Sequence, residues 1–395
     1  AGGIVFEALM GIDFWTGALV VVVVTGVYMV LGGLRAVLYT DLLQMFVLLG
    51  GAVAVTLLGL QALGGWGAMR ASVGPSMLTL WKPATDPDFP WTGILFGAPI
   101  LGVWYWCTDQ YIVQRVLAAH DQDHARRGTV LAGYLKLLPL FIFVIPGVIA
   151  YALTQQGRLT LDQPDQALPT LVGVLLPAGL RGLVVAGLLA ALMSSLSSVF
   201  NSTSALVTWD VYKKLHPEAS ERRLVVVGQV STAVLVGLGL LWIPLMELVS
   251  GQLYQYLQSV QAYIAPPVAA VFLVGIAWRR VNAPGAIAAL GAGFLLGMGR
   301  LVAELNKARL DGLLFTLADI NFLHFAVLLF AVCVLVLVSV SLATPAPADA
   351  RVAGLTFATT DREARTAGGR GWRRADLVLS VGLVLCVAAV WIYFS

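Results

Sequence analysis

Serine hydroxyl groups recur at helical spacing inside the apolar segment AALMSSLSSVFNSTS. Counted from Ala191, Ser194 and Ser195 follow at i+3 and i+4 and Ser198 at i+7, so these residues share one helix face, with Ser197 beside them. A stripe of small residues is often a tight helix-packing seam, across which serines form hydrogen bonds. The same hydroxyls, with a backbone carbonyl one turn earlier, also match half of the oxygen shell of a sodium ion. Unwound backbone on another helix would supply the other half, and both interpretations stay open at this point.

A second polar group lies in the segment WYWCTDQYIVQR, at the end of an apolar run. Trp104, Tyr105 and Trp106 stand well before the charged residue Arg115. This distance disfavours, without excluding, an aromatic belt at the membrane surface. The polar groups nearer the end of the segment are expected to pair with one another rather than to touch a ligand: Asp109, Gln114 and Arg115.

Lys136 lies about a third of the way into the apolar run 129–153. An ionisable group at the centre of a membrane helix costs about 2.5–3.5 kcal/mol on insertion scales, so it needs a compensating contact. The ammonium group either extends to the inner surface or donates hydrogen bonds to a polar cargo.

Asp41 follows Thr40 at the predicted start of the apolar helix 42–60. Both residue types are good helix caps, and capping alone accounts for the carboxylate. A carboxylate beside a membrane span is also a suitable counter-charge for a coupling cation.

Three amide side chains recur every three residues before a proline pair in QYLQSVQAYIAPP: Gln255, Gln258 and Gln261. Each proline removes a backbone donor, so a helix that ends at Pro266 and Pro267 is not expected to run straight. The freed carbonyls and the amides then need partners. Water, another helix or a hydroxylated ligand would each serve.

Membrane helices must position all of these groups, because the chain is 59% hydrophobic and only 11% charged. Soluble domains usually contain about 25% charged residues. Continuous apolar runs near the length of a membrane-spanning helix recur along the chain, without the alternation of barrel strands. Ten spans are predicted, with a helical fragment before residue 12: 14–34, 42–60, 92–115, 129–153, 183–208, 224–242, 252–278, 286–304, 323–342 and 376–394.

Basic residues concentrate in alternate gaps between these spans, for example at Arg126, Arg127, Lys213 and Lys214. The positive-inside rule predicts that these gaps are cytoplasmic, in a multi-pass protein of the cell membrane. The net charge of +3 then reflects topology, and no nucleic-acid partner is predicted.

Five segments resemble the sodium/solute symporter family, and especially its sodium/glucose cotransporter branch: GGLRAVLYTDLLQ, WYWCTDQYIVQR, YLKLLP, ALMSSLSSVFNS and LQSVQAYIAPPVAAVF. The resemblance implies an all-α polytopic membrane protein with an inverted-repeat core of five plus five helices and extra C-terminal helices. It implies that residues 1–343 form this core without its first two helices. Residues 344–375 would then be a flexible cytoplasmic linker, and residues 376–395 a C-terminal transmembrane helix.

The resemblance also implies roles for the aromatic segment. Tyr105 resembles an inner gate that stacks under a bound sugar, and Trp106 resembles the neighbouring ring that shields it. Aromatic rings suit sugars because the C–H faces of a pyranose are apolar. The span 92–115 is expected to unwind at three local helix breakers, Gly97, Pro99 and Gly102.

The remaining polar residues match other family positions. Lys136 and Gln258 resemble sugar hydrogen-bonding residues, and Gln261 stands where sugar transporters of this branch often have a smaller threonine. The family's shared sodium site matches one backbone carbonyl and two hydroxyls, at Ala191, Ser194 and Ser195. A second sodium position of some members matches Asp41, Ser197 and Ser198.

The expected function is sodium-coupled symport of a neutral sugar or polyol by alternating access, with sodium as the coupling ion. Neither an enzymatic activity nor a required protein partner is predicted. The chain has no phosphate-binding GxxxxGK[ST] motif, which argues against an ATP-driven pump. Lys136 alone is a weak match to an anionic cargo. Two alternatives stay open: another solute such as inositol, a carboxylate or an amino acid, or a sensor that binds sodium and sugar without moving them.

Overall fold

The computed structural model describes residues 2–32, 34–249, 253–360 and 370–395, and these ranges contain helices and no β-strand. In chain order the α-helices are α1 (Gly2–Met10), α2 (Phe14–Gly32), α3 (Leu34–Leu63), α4 (Trp66–Val73), α5 (Pro75–Leu78), α6 (Trp91–Phe96), α7 (Ala98–Val103), α8 (Gln110–Leu117), α9 (Gln122–Leu135), α10 (Ile145–Gln155), α11 (Ala167–Leu175), α12 (Ala178–Ala205), α13 (Lys213–Leu215), α14 (Glu221–Val249), α15 (Leu253–Ala277), α16 (Ala283–Leu305), α17 (Gly312–Asp319), α18 (Phe322–Ala343), α19 (Asp349–Val352) and α20 (Arg370–Tyr393). Three π-helical turns, Trp104–Thr108, Leu140–Val144 and Leu206–Tyr212, and two 3-10 turns, Pro164–Gln166 and Lys307–Arg309, complete the helical elements.

Eight helical stretches of the described chain are long and apolar enough to cross a membrane, which makes the protein multi-pass. They are Gln44–Leu63, Gln122–Gln155, Ala178–Leu215, Glu221–Pro244, Leu257–Ala277, Ala283–Leu305, Phe322–Ala343 and Arg374–Tyr393. Each coincides with a predicted span. The predicted span 14–34 corresponds to a shorter apolar stretch, Phe14–Val27, and the span 92–115 is divided among several short elements.

The helix that contains Asp41 begins earlier than predicted. α3 starts at Leu34, so Thr40 and Asp41 lie inside the helix, where backbone N–H groups already have carbonyl partners. The prediction that these residues cap a helix start is therefore wrong. The side chain of Asp41 lies outside the described part of the structure.

The proline pair does not end its helix, contrary to the prediction. α15 continues through Pro266 and Pro267 to Ala277. A methyl group at Gly297 of α16 would lie 2.2 Å from the Tyr263 carbonyl oxygen, and one at Gly293 would lie 2.4 Å from Pro267. Glycines therefore let α16 pack closely over the proline-containing part of α15.

One compact unit comprises residues 1–79 and 131–245. In it, α12 packs along α3 and α2, and α3 also contacts α10. Glycines bring α3 and α12 together, because a methyl group at Gly51 would meet Val184 and one at Gly187 would meet Val47. The two pairs run in opposite order along the chain, so these helices are antiparallel.

The other compact unit comprises residues 80–130 and 246–395. Its centre is the mutual packing of α15, α16 and α18. A buried cluster joins α15 to α7 and α18, with Ala262, Tyr263 and Ala265 against Leu101 and Leu323.

Part of the predicted linker 344–375 has local structure. Asp349 accepts a hydrogen bond from Nη2 of Arg279 at 2.8 Å, and the backbone N–H of Phe357 donates to the Ile276 carbonyl at 2.9 Å. Residues 361–369 lie outside the described ranges, and the division of the chain into core, linker and C-terminal helix remains a prediction.

Candidate functional site

The aromatic segment forms a π-helical turn, Trp104–Thr108. The Trp104 carbonyl accepts hydrogen bonds from the Asp109 backbone N–H at 3.0 Å and from the Thr108 hydroxyl at 2.7 Å. π-Helical turns are rare and are frequent at functional sites. Because a π-helical turn is wider than an α-helical turn, its consecutive aromatic side chains are spaced around the helix differently from those of a regular α-helix.

The helix is interrupted at Gly97, between α6 and α7, and again directly after this turn. Asp109 is extended (φ −71°, ψ 117°), and its side chain caps α8 by accepting from the Tyr111 N–H at 3.1 Å. By contrast, Gly97 has helical dihedral angles, Pro99 lies in the first turn of α7, and Gly102 lies inside α7. The chain therefore breaks at Gly97 as predicted, although its dihedral angles remain helical. The predicted unwinding at Pro99 and Gly102 is wrong, since proline is tolerated in the first turn of a helix and Gly102 remains within α7.

The groups expected to pair near the end of this segment all contact Tyr111. Its carbonyl accepts from Nη1 of Arg115 at 2.8 Å and from Nε2 of Gln114 at 3.3 Å. The Arg115 guanidinium also lies 5.0 Å from the centre of the Tyr111 ring. These contacts fix α8 as a short helix set off from the aromatic turn by Asp109.

The three aromatic residues of the turn have different surroundings. Trp104 packs against the buried cluster of α7, α15 and α18, which gives it a structural role. Tyr105 is half-buried, and Trp106 is exposed. The rings of Tyr105 and Trp106 meet edge to face, with centroids 5.1 Å apart, so they form one aromatic surface.

The amide row lies on a helix that contacts this aromatic turn, since α15 packs on both α7 and Trp104–Thr108. Gln258 and Gln261 are half-buried, and Nε2 of Gln258 donates to the Tyr254 hydroxyl at 2.8 Å. One compact unit therefore holds both the aromatic surface and the amide row. This combination of apolar faces and amide donors is suited to a hydroxylated ligand.

Lys136 lies in the other unit, at a break between helices. α9 ends at Leu135, Lys136 and Leu137 form a turn, and Pro139 directly precedes the π-helical turn Leu140–Val144. Proline prevents the preceding turn from continuing as a regular helix. Lys136 is exposed on the surface of the chain and lies at a backbone irregularity inside the apolar stretch Gln122–Gln155, which is long enough to cross a membrane.

The serine segment lies on α12, in the same unit as Lys136. Ser195 Oγ donates to the Ala191 carbonyl at 3.0 Å, while Ser197 and Ser198 both donate to the Ser194 carbonyl, at 2.8 and 3.0 Å. Ser197 and Ser198 are buried, and Ser195 is exposed. A single helix face therefore gathers carbonyl and hydroxyl oxygens, the ligand type that a hard cation prefers.

The antiparallel packing of α3 and α12 gives the level of Asp41 along α12. Val47 lies against Gly187. Asp41 is six residues before Val47, and Met193 is six residues after Gly187. Because both helices rise about 1.5 Å per residue, the backbone of residue 41 comes level with the residue before Ser194.

A buried ionic cluster is a feature that sequence reasoning missed. Arg300 is only 6% exposed, and its Nη1 lies 3.2 Å from Oε2 of Glu304, which also accepts from the Tyr263 hydroxyl. Arg300 Nη2 donates to the Ile320 carbonyl at 3.0 Å. The signal was an Arg and a Glu four residues apart within an apolar span, a spacing that favours an ion pair on one helix face.

One set of metal-ligating side chains occurs in the described part of the chain, at His120, Asp121 and His124, all exposed. Asp121 caps the start of α9 by accepting from the His124 backbone N–H at 2.8 Å. Hydrogen bonds from the His124 backbone and side chain hold the pKa of Asp121 below its usual value. Helix capping accounts for this cluster.

These features define an all-helical, multi-pass membrane protein with an oxygen-rich helix face and an aromatic and amide surface beside a helix interruption. Comparison with known proteins identifies the class. A sequence profile described as the "Sodium:solute symporter family" matches residues 1–293. The chain therefore belongs to the sodium:solute symporter family, and the predicted resemblance is confirmed.

Related sequences have sugar cotransporter names. The chain is 36% identical to sodium/glucose cotransporter 1 of Oryctolagus cuniculus, covering 85% of this chain and 57% of the relative. It is 39% identical to a sodium/mannose cotransporter of Bos taurus, covering 98% of this chain and 72% of the relative. It is 38% identical to sodium/glucose cotransporter 4 of Mus musculus, covering 91% and 58%. The chain thus spans little more than half the length of the two glucose cotransporters.

A solved structure has the same fold. It is a sodium-coupled sialic acid symporter in a substrate-bound, outward-open state, and it aligns with a TM-score of 0.68. The alignment covers 87% of this chain and 71% of that chain at 22% sequence identity. The predicted inverted-repeat transporter fold is therefore confirmed.

Proposed function

We propose that this protein performs sodium-coupled symport of a neutral sugar or polyol across the cell membrane by alternating access. One observation carries the proposal: in a chain of this family, the Ala191 carbonyl and the Ser194 and Ser195 side chains lie on one face of α12. Relatives with glucose and mannose cotransporter names support a sugar as the cargo.

The proposed sodium site uses the Ala191 carbonyl oxygen and the two hydroxyl oxygens. In the described structure the Ser195 hydroxyl donates to this carbonyl. A bound sodium ion would take the lone pairs of both oxygens, and the hydroxyl hydrogen would rotate away. A second sodium position is proposed at Asp41, Ser197 and Ser198, supported by the level of Asp41 in the α3–α12 register.

The proposed sugar site uses the aromatic surface and two members of the amide row, Gln258 and Gln261. Tyr105 stacks on the apolar face of the sugar and Trp106 shields it, while Gln258 and Gln261 hydrogen-bond the hydroxyl groups. Lys136 is proposed as a further donor to these hydroxyls. The contact between α15 and the aromatic turn supports the grouping of the four residues in one unit.

The proposed cycle couples the two sites. Sodium binds from outside and orders the outward-open state, sugar then binds, and the repeats rock to the inward-open state. Sodium leaves into cytoplasm of low sodium concentration and sugar follows. Coupling is reciprocal, because any gain that sodium gives to sugar affinity equals the gain that sugar gives to sodium affinity. The membrane potential adds about 2.3 kcal/mol per charge per 100 mV.

Uptake of labelled solutes by proteoliposomes of the protein tests this proposal. A panel of hexoses, polyols, inositol, a carboxylate and an amino acid is compared with sodium and with choline outside. We expect sodium-dependent uptake of at least one neutral sugar or polyol, and none of the carboxylate. Sodium-dependent uptake of the carboxylate alone would overturn the choice of cargo, and sugar-gated current without uptake would indicate a sensor.

A further inference from the structure

A polar cavity of about 490 Å³ lies within the unit formed by residues 80–130 and 246–395. Its walls come from the loop 84–88, the first turns of α15, the end of α16 and the segment 318–324. The pattern of basic residues predicts that the loops among these are extracellular. Binding pockets for small molecules occupy about 300–1,000 Å³, so the cavity is large enough for a ligand.

The buried guanidinium group of Arg300 lines this cavity, and the described residues leave part of it without a hydrogen-bond acceptor. Its Nη groups are engaged by Glu304 and by the Ile320 carbonyl. Within the described ranges, no residue accepts a hydrogen bond from Nε of Arg300. A buried donor without an acceptor is costly, which favours a ligand that brings an oxygen acceptor into the cavity.

The other polar groups of the cavity are ordered and include both donors and acceptors. Gln255 Nε2 donates to Oδ1 of Asp88 at 2.6 Å, and Lys307 forms an ion pair with Asp319 at 2.5 Å. Ser259 also lines the cavity and is buried. The wall therefore offers amide, hydroxyl and carboxylate groups to a ligand.

The net negative charge of the cavity walls disfavours an anionic ligand. Its carboxylates outnumber its permanent cations: Asp86, Asp88, Glu304 and Asp319 against Arg300 and Lys307. His324 uses Nε2 in a 2.7 Å hydrogen bond with the Thr92 hydroxyl. Acidic surroundings repel an anionic ligand, whereas a neutral hydroxyl group accepts from the guanidinium and donates to a carboxylate at the same time.

An apolar wall stands beside these polar groups. Phe322 lines the cavity, and its ring meets that of Phe89 edge to face, with centroids 5.9 Å apart. The Phe89 ring is in turn 6.2 Å from that of Tyr254. A molecule with an apolar C–H face and several hydroxyl groups matches this combination of surfaces.

We propose that the cavity is a second binding site, selective for a neutral polyhydroxylated molecule such as a monosaccharide or polyol. Gln255 lines the cavity and lies three residues before Gln258, which is a rise of about 4.5 Å along the helix. The cavity therefore lies on the extracellular side of the amide row. The identity of the ligand rests on the proposed function, because we infer that the second site binds the same sugar that the protein transports.

The test counts bound sugars in the purified full-length protein, by equilibrium binding of the labelled sugar that gives the largest uptake, with and without sodium. Ala84 is exposed and lines the cavity, so Ala84→Trp fills the cavity without removing a native hydrogen bond. Ala353→Trp places the same ring at an exposed position away from the cavity. Gln255→Leu removes an amide donor from the wall, and Tyr105→Ala disables the proposed transport site.

We expect the wild-type protein and Ala353→Trp to bind two sugars, one only with sodium and one regardless of sodium. Ala84→Trp should lose the sodium-independent sugar and keep the other, and Tyr105→Ala should do the reverse. Gln255→Leu should weaken the sodium-independent site about tenfold. One sugar in the wild type, bound only with sodium and unchanged in Ala84→Trp, would overturn the second site and leave the proposed function intact. If the wild type shows no sodium-dependent sugar binding, while sodium-independent binding persists in Tyr105→Ala, the second site would be supported and the proposed symport function would be overturned.

Discussion

The hydroxyl group of Ser195 donates a hydrogen bond to the carbonyl oxygen of Ala191, with the two oxygens 3.0 Å apart. This relationship brings two of the three proposed sodium ligands together before any ion is bound. A serine hydroxyl that bonds back to the preceding turn is also an ordinary feature of helices. The helix is therefore able to present these oxygens without unwinding, and mutation must decide between sodium binding and packing.

Replacement of Ser194 and Ser195 by alanine tests the sodium site. We expect the double variant to fold and to need at least about tenfold more sodium for half-maximal sugar uptake, because each lost contact to a charged group costs about 1.5–3 kcal/mol. Ser202→Ala is the matched control, since this serine of α12 also bonds back to its own helix, at Val199. Equal sodium dependence in wild type and double variant would favour the packing seam.

Replacement of Lys136 tests its contact with the cargo. Lys136→Ala should weaken sugar binding more than sodium binding, because an ammonium donor to a sugar hydroxyl contributes about 1.5–3 kcal/mol. Lys136→Gln keeps a neutral donor and should lose less. Calorimetry of sugar binding at saturating sodium measures the effect. Wild-type sugar affinity in Lys136→Ala would assign the side chain to the membrane surface.

Replacement of Tyr105 separates stacking from gating. Tyr105→Phe keeps the ring and should retain most sugar affinity, while Tyr105→Ala should lose about 1–2 kcal/mol from stacking and burial. If the hydroxyl anchors a closed gate, Tyr105→Phe should also leak sugar from loaded, sodium-free vesicles. Efflux and affinity that are the same in all three proteins would remove Tyr105 from the site.

The close contact between α15 and α16 predicts a difference between two glycines of the same helix. Gly297→Ala should destabilise the protein by about 1–3 kcal/mol, because the added methyl group overlaps the Tyr263 carbonyl. Gly299 has no atom within 4 Å of an added methyl group, so Gly299→Ala should be neutral or stabilising by up to about 1 kcal/mol. Thermal unfolding in detergent measures both changes. Equal melting temperatures would show that α16 does not rest on the α15 backbone.

The sequence was sufficient to predict eight of the ten spans, because apolar composition and length decide which segments cross a bilayer. It was insufficient for the interruptions. Gly97 and Pro99 are stronger helix breakers than Asp109, yet the extended residue is Asp109, whose carboxylate caps the next helix. Pro266 and Pro267 remain inside α15, where Gly293 of the next helix, α16, packs against Pro267.

The site was predictable to the extent that it depends on local spacing. The serine oxygens lie on one helix face, as their spacing predicts. The cavity around Arg300 was not predictable, because it depends on the arrangement of four separate segments of the chain. Burial of an arginine within an apolar span is a tertiary property.

Sodium movement driven by sugar tests the central claim most directly. Proteoliposomes of the protein hold equal sodium on both sides, and an inward gradient of the transported sugar is imposed. Coupled symport predicts uphill accumulation of labelled sodium inside, which disappears when sugar is equal on both sides and is reduced in Ser194→Ala/Ser195→Ala. Sugar entry without net sodium movement, or sodium entry without sugar entry, would contradict sodium-coupled symport.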